Sequence, residues 1–170
     1  MSAASHLLFA GLIVVVMSVT AFAGAKRQDV AWNYYHFNGS SFVAGQPQEG
    51  PFVALREGTI PVVLTKPVKT EAVALPSGKG AVAGICYIQS SGGKLGGGGN
   101  GYVPASGLQV NIFSGSHVVT TVETDENGYF TAVLNAGNYR IGNPPLTIEV
   151  SITRGTTTLA SLRTGKRMVD

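Results

Sequence analysis

The chain has 170 residues, with 12 Lys or Arg against 9 Asp or Glu, for a formal net charge of +3. Only 12% of the residues are charged, 44% are hydrophobic and 23 are Gly, which excludes a disordered polyampholyte and the dense basic stripe that nucleic acid demands. One cysteine, Cys86, cannot form an internal disulfide, so stability has to come from packing.

Leu7 to Val19 form one apolar run, shorter than the roughly 20 residues needed to span hydrocarbon, and Ala21-Phe22-Ala23 supplies the small-x-small pattern of a signal-peptidase site. Residues 1–25 are therefore predicted to be a secretory signal peptide, cut after Ala23 or Ala25. Met1 to His6 carries no Lys or Arg, which keeps a retained amphipathic anchor as the alternative. With no Cys near the cut to accept a lipid, contact with the membrane is expected only through this leader. Export to the periplasm or the exterior follows, and about 145 residues remain, enough for one domain and an extension.

Residues 26–79 hold most of the aromatics, in Trp32-Asn33-Tyr34-Tyr35-His36-Phe37, Phe42 and Phe52, with Pro47, Pro51, Pro61, Pro67 and Pro76 at short intervals. Proline cannot donate to a central ladder, so this zone reads as an extended arm laid over the domain, with edge strands at most.

From Gly80 the alternation is regular. Strands are predicted at Ala81–Ile88, Leu108–Phe113, Val118–Thr124, Tyr129–Leu134, Tyr139–Gly142, Leu146–Thr153 and Thr157–Arg163, with a period of two and no window at 3.6. Asp125-Glu126-Asn127-Gly128, Asn135-Ala136-Gly137-Asn138 and Arg154-Gly155-Thr156 carry turn chemistry and are expected to close hairpins. Gln89–Ser106, rich in glycine, is expected to be one long loop. Residues 80–170 are thus an all-β, seven-stranded antiparallel Greek-key sandwich with an N-terminal extended arm.

Val82-x-Gly84, Val122-x-Thr124-Asp125-Glu126-Asn127-Gly128-Tyr129-Phe130, Leu134-x-Ala136-Gly137-x-Tyr139-x-Ile141 and Val150-Ser151-Ile152-Thr153-Arg154-Gly155-Thr156-Thr157-Thr158 together resemble the carboxypeptidase regulatory-like domains, which have a transthyretin-like or prealbumin-like sandwich. Thr164-Gly165-Lys166-Arg167 is similar to the Thr-Gly-x-Arg ending of some exported bacterial members. The resemblance covers residues 80 to 170. It implies that Asp125 and Gly128 make a turn, that Phe130 and Tyr139 fill the core and that Gly137 takes an angle other residues avoid. It also implies an accessory, adhesive or scaffolding module outside the cytoplasm. The family's Gly-x-Pro-Val-x-Gly-Ala loop is replaced here by the glycine-rich stretch, with Val103-Pro104-Ala105-Ser106-Gly107 as its nearest echo.

Chemistry-bearing residues do not converge in the sequence. His36 and His117 lack an Asp, Glu or Cys at ligand spacing, no Gly-x-Ser-x-Gly elbow occurs, and no Gly-Lys-Ser/Thr follows the glycines. Cys86 sits in the apolar phase of Val82-x-Gly84-x-Cys86-x-Ile88 and reads as a small buried hydrophobe. No catalytic residue, metal or cofactor is predicted, and the chain is read as non-enzymatic. Trp32, Tyr34, Tyr35 and Phe37 are the candidate contacts. They either cap the open end of the sandwich, or dock as a strand onto an envelope partner or a second copy, or form an aromatic platform for carbohydrate.

Overall fold

The computed structural model describes residues 31–91 and 101–168. The predicted signal peptide, residues 1–25, and the core of the glycine-rich stretch, 92–100, lie outside the described residues. The order is β1 (Asn33–Phe37), β2 (Phe42–Ala44), β3 (Phe52–Leu55), β4 (Val62–Leu64), β5 (Lys79–Ser91), β6 (Tyr102–Pro104), β7 (Gln109–Ser114), β8 (His117–Glu123), β9 (Tyr129–Asn135), β10 (Gly137–Asn143), β11 (Leu146–Ile152) and β12 (Thr157–Met168). The fold is an all-β sandwich, and each of the seven predicted strands has its counterpart among β5 and β7–β12.

One layer of the sandwich is β11-β10-β7-β8; the other is built on β5, with β12 along one edge and β9 and β6 sharing the other. Val82 and Cys86 of β5, Phe130 and Leu134 of β9 and Leu162 of β12 face Val110, Ile112, Ile141 and Ile152 across the interior. Period-two patterning does this work, because alternate side chains on a strand leave by the same face.

Three sequence expectations for residues 80–170 change. First, β5 and β12 run parallel, from Thr157↔Ala81 to Met168↔Ser91, so the sandwich is not wholly antiparallel. Period two is common to both pairings and does not distinguish them. Second, the turns at 125–128, 135–138 and 154–156 are not hairpins between paired strands. β8 and β9, β9 and β10, and β11 and β12 belong to different sheets, so each turn arches from one layer to the other. Paired hairpins instead close at Gly115 (φ +61°), between β7 and β8, and at Pro144-Pro145, between β10 and β11. Third, both ends of the predicted loop Gln89–Ser106 are strand: β5 continues to Ser91, and β6 pairs back onto Tyr87–Gln89.

The arm departs furthest. β1 to β4 make a four-stranded antiparallel sheet, β2-β1-β3-β4, and this sheet forms a third layer. Phe37 and Val53 pack against Ala83, Ile85, Tyr87 and Tyr129, the side of the central sheet that faces away from the sandwich interior. Ala81 to Tyr87 are consequently buried at every residue. Prolines frame the arm's strands rather than interrupt them, since Pro51 and Pro61 stand immediately before β3 and β4, where no ladder donor is lost.

Candidate interaction site

The resemblance-derived turn is built by its own side chains. Asp125 Oδ1 accepts from Asn127 N (2.9 Å) and Tyr129 N (2.8 Å), and Gly128 N donates to Asp125 O (3.0 Å). Gly128 has φ +78°, a left-handed conformation that side chains resist, and Cβ there would stand 2.6 Å from the Cys86 carbonyl oxygen. Thr124, 3% exposed, stands in the same motif with a role that the sequence alone does not reveal. Its hydroxyl donates to Ala105 O (2.6 Å) and accepts from Leu108 N (2.8 Å), pinning the segment that enters β7. Phe130 is buried, Tyr139 is half-buried with its hydroxyl on Asn135 O (3.0 Å), and Gly137 has φ +157°, an angle side chains rarely adopt.

Cys86 is fully buried and burial pushes its thiol up to about 12, so it is a core methyl-sized group and not a nucleophile. His36 and His117 lie on different layers, in β1 and at the start of β8. Among the described residues no three of His, Cys, Asp and Glu come together as a metal would need.

The structure separates the four aromatic candidates. Phe37 is 5% exposed and meets Phe42, Tyr87 and Tyr102 with ring centroids 5.8, 4.7 and 5.0 Å apart, so its ring is spent inside the protein. Tyr34 makes an edge contact with Phe52 at 5.8 Å. Trp32 and Tyr35 are partly exposed. β1 pairs with β2 on one side and β3 on the other, so both of its backbone edges are taken in cis and it is not free to add to a partner's sheet.

An open edge exists elsewhere. β9 pairs only with β5, and β8 only with β7, among the described strands. Cys86 N donates to Gly128 O, whereas Tyr129 O accepts from Asp125 N, so the even residues of β9 turn their backbone toward β5 and the odd ones turn it outward. Thr131 and Val133 therefore present their N–H and C=O groups on the free edge. Beside them a groove of about 470 Å³ runs between the two layers, lined by Val119, Val122, Ala132, Leu134 and Tyr139, with Lys79, Thr120 and Asn135 supplying polar groups. Val118 and Val119 are 51% and 49% exposed, and no charge stands between His117 and Glu123.

No protein-family model and no curated protein matches the sequence. Among solved structures, the chain is similar to the minor pilin of the gram-positive pathogen Streptococcus agalactiae, at 13% identity and a TM-score of 0.38. The likeness covers 76% of this chain and 66% of the pilin, just under two-thirds of the pilin's own length. The sandwich is defined by its own strand pairings.

Proposed function

We propose that this chain is a non-enzymatic, exported module of the bacterial cell envelope that holds a protein partner, or a second copy, by strand addition on its β8–β9 side. The unpaired edge of β9, beside a groove that holds Val119, Val122 and Leu134, carries this reading. An extended peptide laid there would bond to the Thr131 and Val133 backbone and place alternate side chains over Val119 and Leu134. Native edges are normally blunted by charge or proline, and β8 has neither between His117 and Glu123. The apolar leader supports export. The carboxypeptidase regulatory-like turn chemistry, with Asp125, Gly128 and Thr124 all used structurally, supports an accessory module rather than an enzyme.

A photo-crosslinking residue at Val119 or Thr131, introduced into the protein in its native envelope, tests the proposal. Adducts to a second polypeptide from these positions, and none from Thr147 on the far edge strand, are expected. Adducts from Trp32 or Tyr35 alone would move the contact back to the N-terminal sheet. Hydrolysis of a peptide, ester or glycoside by the purified protein, abolished by a point substitution, would overturn the non-enzymatic reading.

A further inference from the structure

A second concavity lies where the N-terminal sheet meets β6. It holds about 450 Å³ and is lined by His36, Asn38, Gln48, Glu49 and Tyr102, with Phe37 as its wall. Its polar groups are positioned by bonds made outside it. His36 Nδ1 lies 3.0 Å from Gly45 O, and since a carbonyl only accepts, Nδ1 is the donor and Nε2 is the ring nitrogen left for a ligand. Asn38 Oδ1 accepts from Ser40 N, Ser40 Oγ and Ser41 N, so its side chain has only amide hydrogens left to offer. Tyr102 is held edge-on by Phe37 at 5.0 Å and Tyr87 at 6.0 Å, and burial raises its phenol, which keeps the hydroxyl protonated as a donor. Pro47 and Pro51 flank the Gln48-Glu49-Gly50 segment and fix φ on either side of it.

We infer that this cleft binds a neutral sugar residue of a glycan. The cleft presents the partly exposed Tyr102 ring beside hydrogen-bond donors and acceptors, and a pyranose matches both, with C–H groups for the ring and hydroxyls that donate and accept. Glu49 supplies a carboxylate acceptor, Asn38 amide donors, and His36 Nε2 a further polar contact. Among the described residues that line the cleft there is no Lys or Arg, and Glu49 is its one carboxylate, so a uronate or other acidic sugar is disfavoured. The site is distinct from the β8–β9 edge and stands whether or not that edge docks a protein. It also differs from an aromatic platform on Trp32, Tyr34 and Tyr35, none of which lines it.

The test is a heteronuclear NMR titration of the purified protein with cellotriose, N,N′,N″-triacetylchitotriose and trigalacturonic acid as probes. Saturable shifts at His36, Gln48 and Tyr102 with at least one neutral trisaccharide are expected, with affinity at least ~10-fold above that for trigalacturonate. Tyr102→Ala should abolish binding. Because Tyr102 also packs internally, Glu49→Gln provides an independent readout on an exposed side chain, and it should weaken the neutral probe several-fold and narrow its advantage over the acidic one. Trp32→Ala should change nothing. No saturable shift with either neutral probe would overturn the inference. So would loss of binding in Trp32→Ala, or equal affinities in the wild type and Glu49→Gln.

Discussion

Gly84 of β5 and Phe130 of β9 are direct cross-strand partners, and the Phe130 ring lies over the glycine where a side chain would otherwise stand. Cβ at Gly84 would overlap the ring and come within 3.0 Å of the Ala160 carbonyl oxygen on the neighbouring strand. Gly84→Ala is therefore expected to destabilise the protein by about 1–3 kcal/mol, the usual consequence of overpacking a filled core. Urea unfolding of the two proteins measures it. Pairing the substitution with Phe130→Leu should recover part of the loss, and no change in midpoint for the single variant would contradict the placement of the ring.

The Thr124 hydroxyl gives a second expectation. Replacement by Val keeps the shape but strips the donor to Ala105 O and the acceptor for Leu108 N. Leaving buried polar groups without partners costs about 1–3 kcal/mol, so Thr124→Val should lower the unfolding midpoint clearly and Thr124→Ser much less. Faster hydrogen exchange of the Leu108 amide in Thr124→Val would locate the loss at this staple.

These two positions also show how far the sequence could be read. Strand phase was legible because one face of each strand is apolar: Leu108, Val110 and Ile112, for instance, lie on one side of β7 and its approach. Partner choice was not. Asp125 and Gly128 encode a local reversal, but whether the strands on either side pair or part is decided by which apolar faces find each other at long range. One further signal was present and misread. Ala81-Val82-Ala83-Gly84-Ile85-Cys86-Tyr87-Ile88 has no polar phase at all, the mark of a strand covered on both faces. Read that way, it calls for a third layer, and the aromatic segment Trp32–Phe37 is the obvious source. The cleft around His36, Glu49 and Tyr102 left no such trace, since its residues come from three separate segments that only tertiary packing brings together.

Alkaline pH should unfold the protein selectively. Burial raises the Cys86 thiol from its usual 9.0 to about 12, and burial is also the main cause that lifts the Tyr129 phenol from 10.0 to about 12. Between the unfolded and folded values the folded state holds more protons than the unfolded one, so stability falls as pH rises. Thermal midpoints are expected to be flat with respect to these two groups below about pH 9 and to decline through the interval up to about 12. Cys86→Val should delay the onset of the decline, and Tyr129→Phe should soften its upper part. In the native protein near neutrality, Cys86 should resist a thiol reagent until denaturant is added.

The third layer itself makes the last expectation. Phe37 anchors the N-terminal sheet against Tyr87 and Tyr102, and Val53 covers the same face of the central sheet, where Ala83 and Ile85 are fully buried. Truncation of a buried phenylalanine costs about 3–5 kcal/mol, so Phe37→Ala should loosen β1–β4 from β5. If the layers are separable units, the effect is local: amides of β1 and β3 lose protection from exchange and an apolar dye binds, while amides of β7 and β10 on the opposite layer stay protected. Uniform loss of protection in every strand would instead mean that the N-terminal sheet and the sandwich fold as one cooperative unit. Unchanged protection in β1 would show that Phe37 does not fasten the layer, and the three-layer packing described here would have to be abandoned.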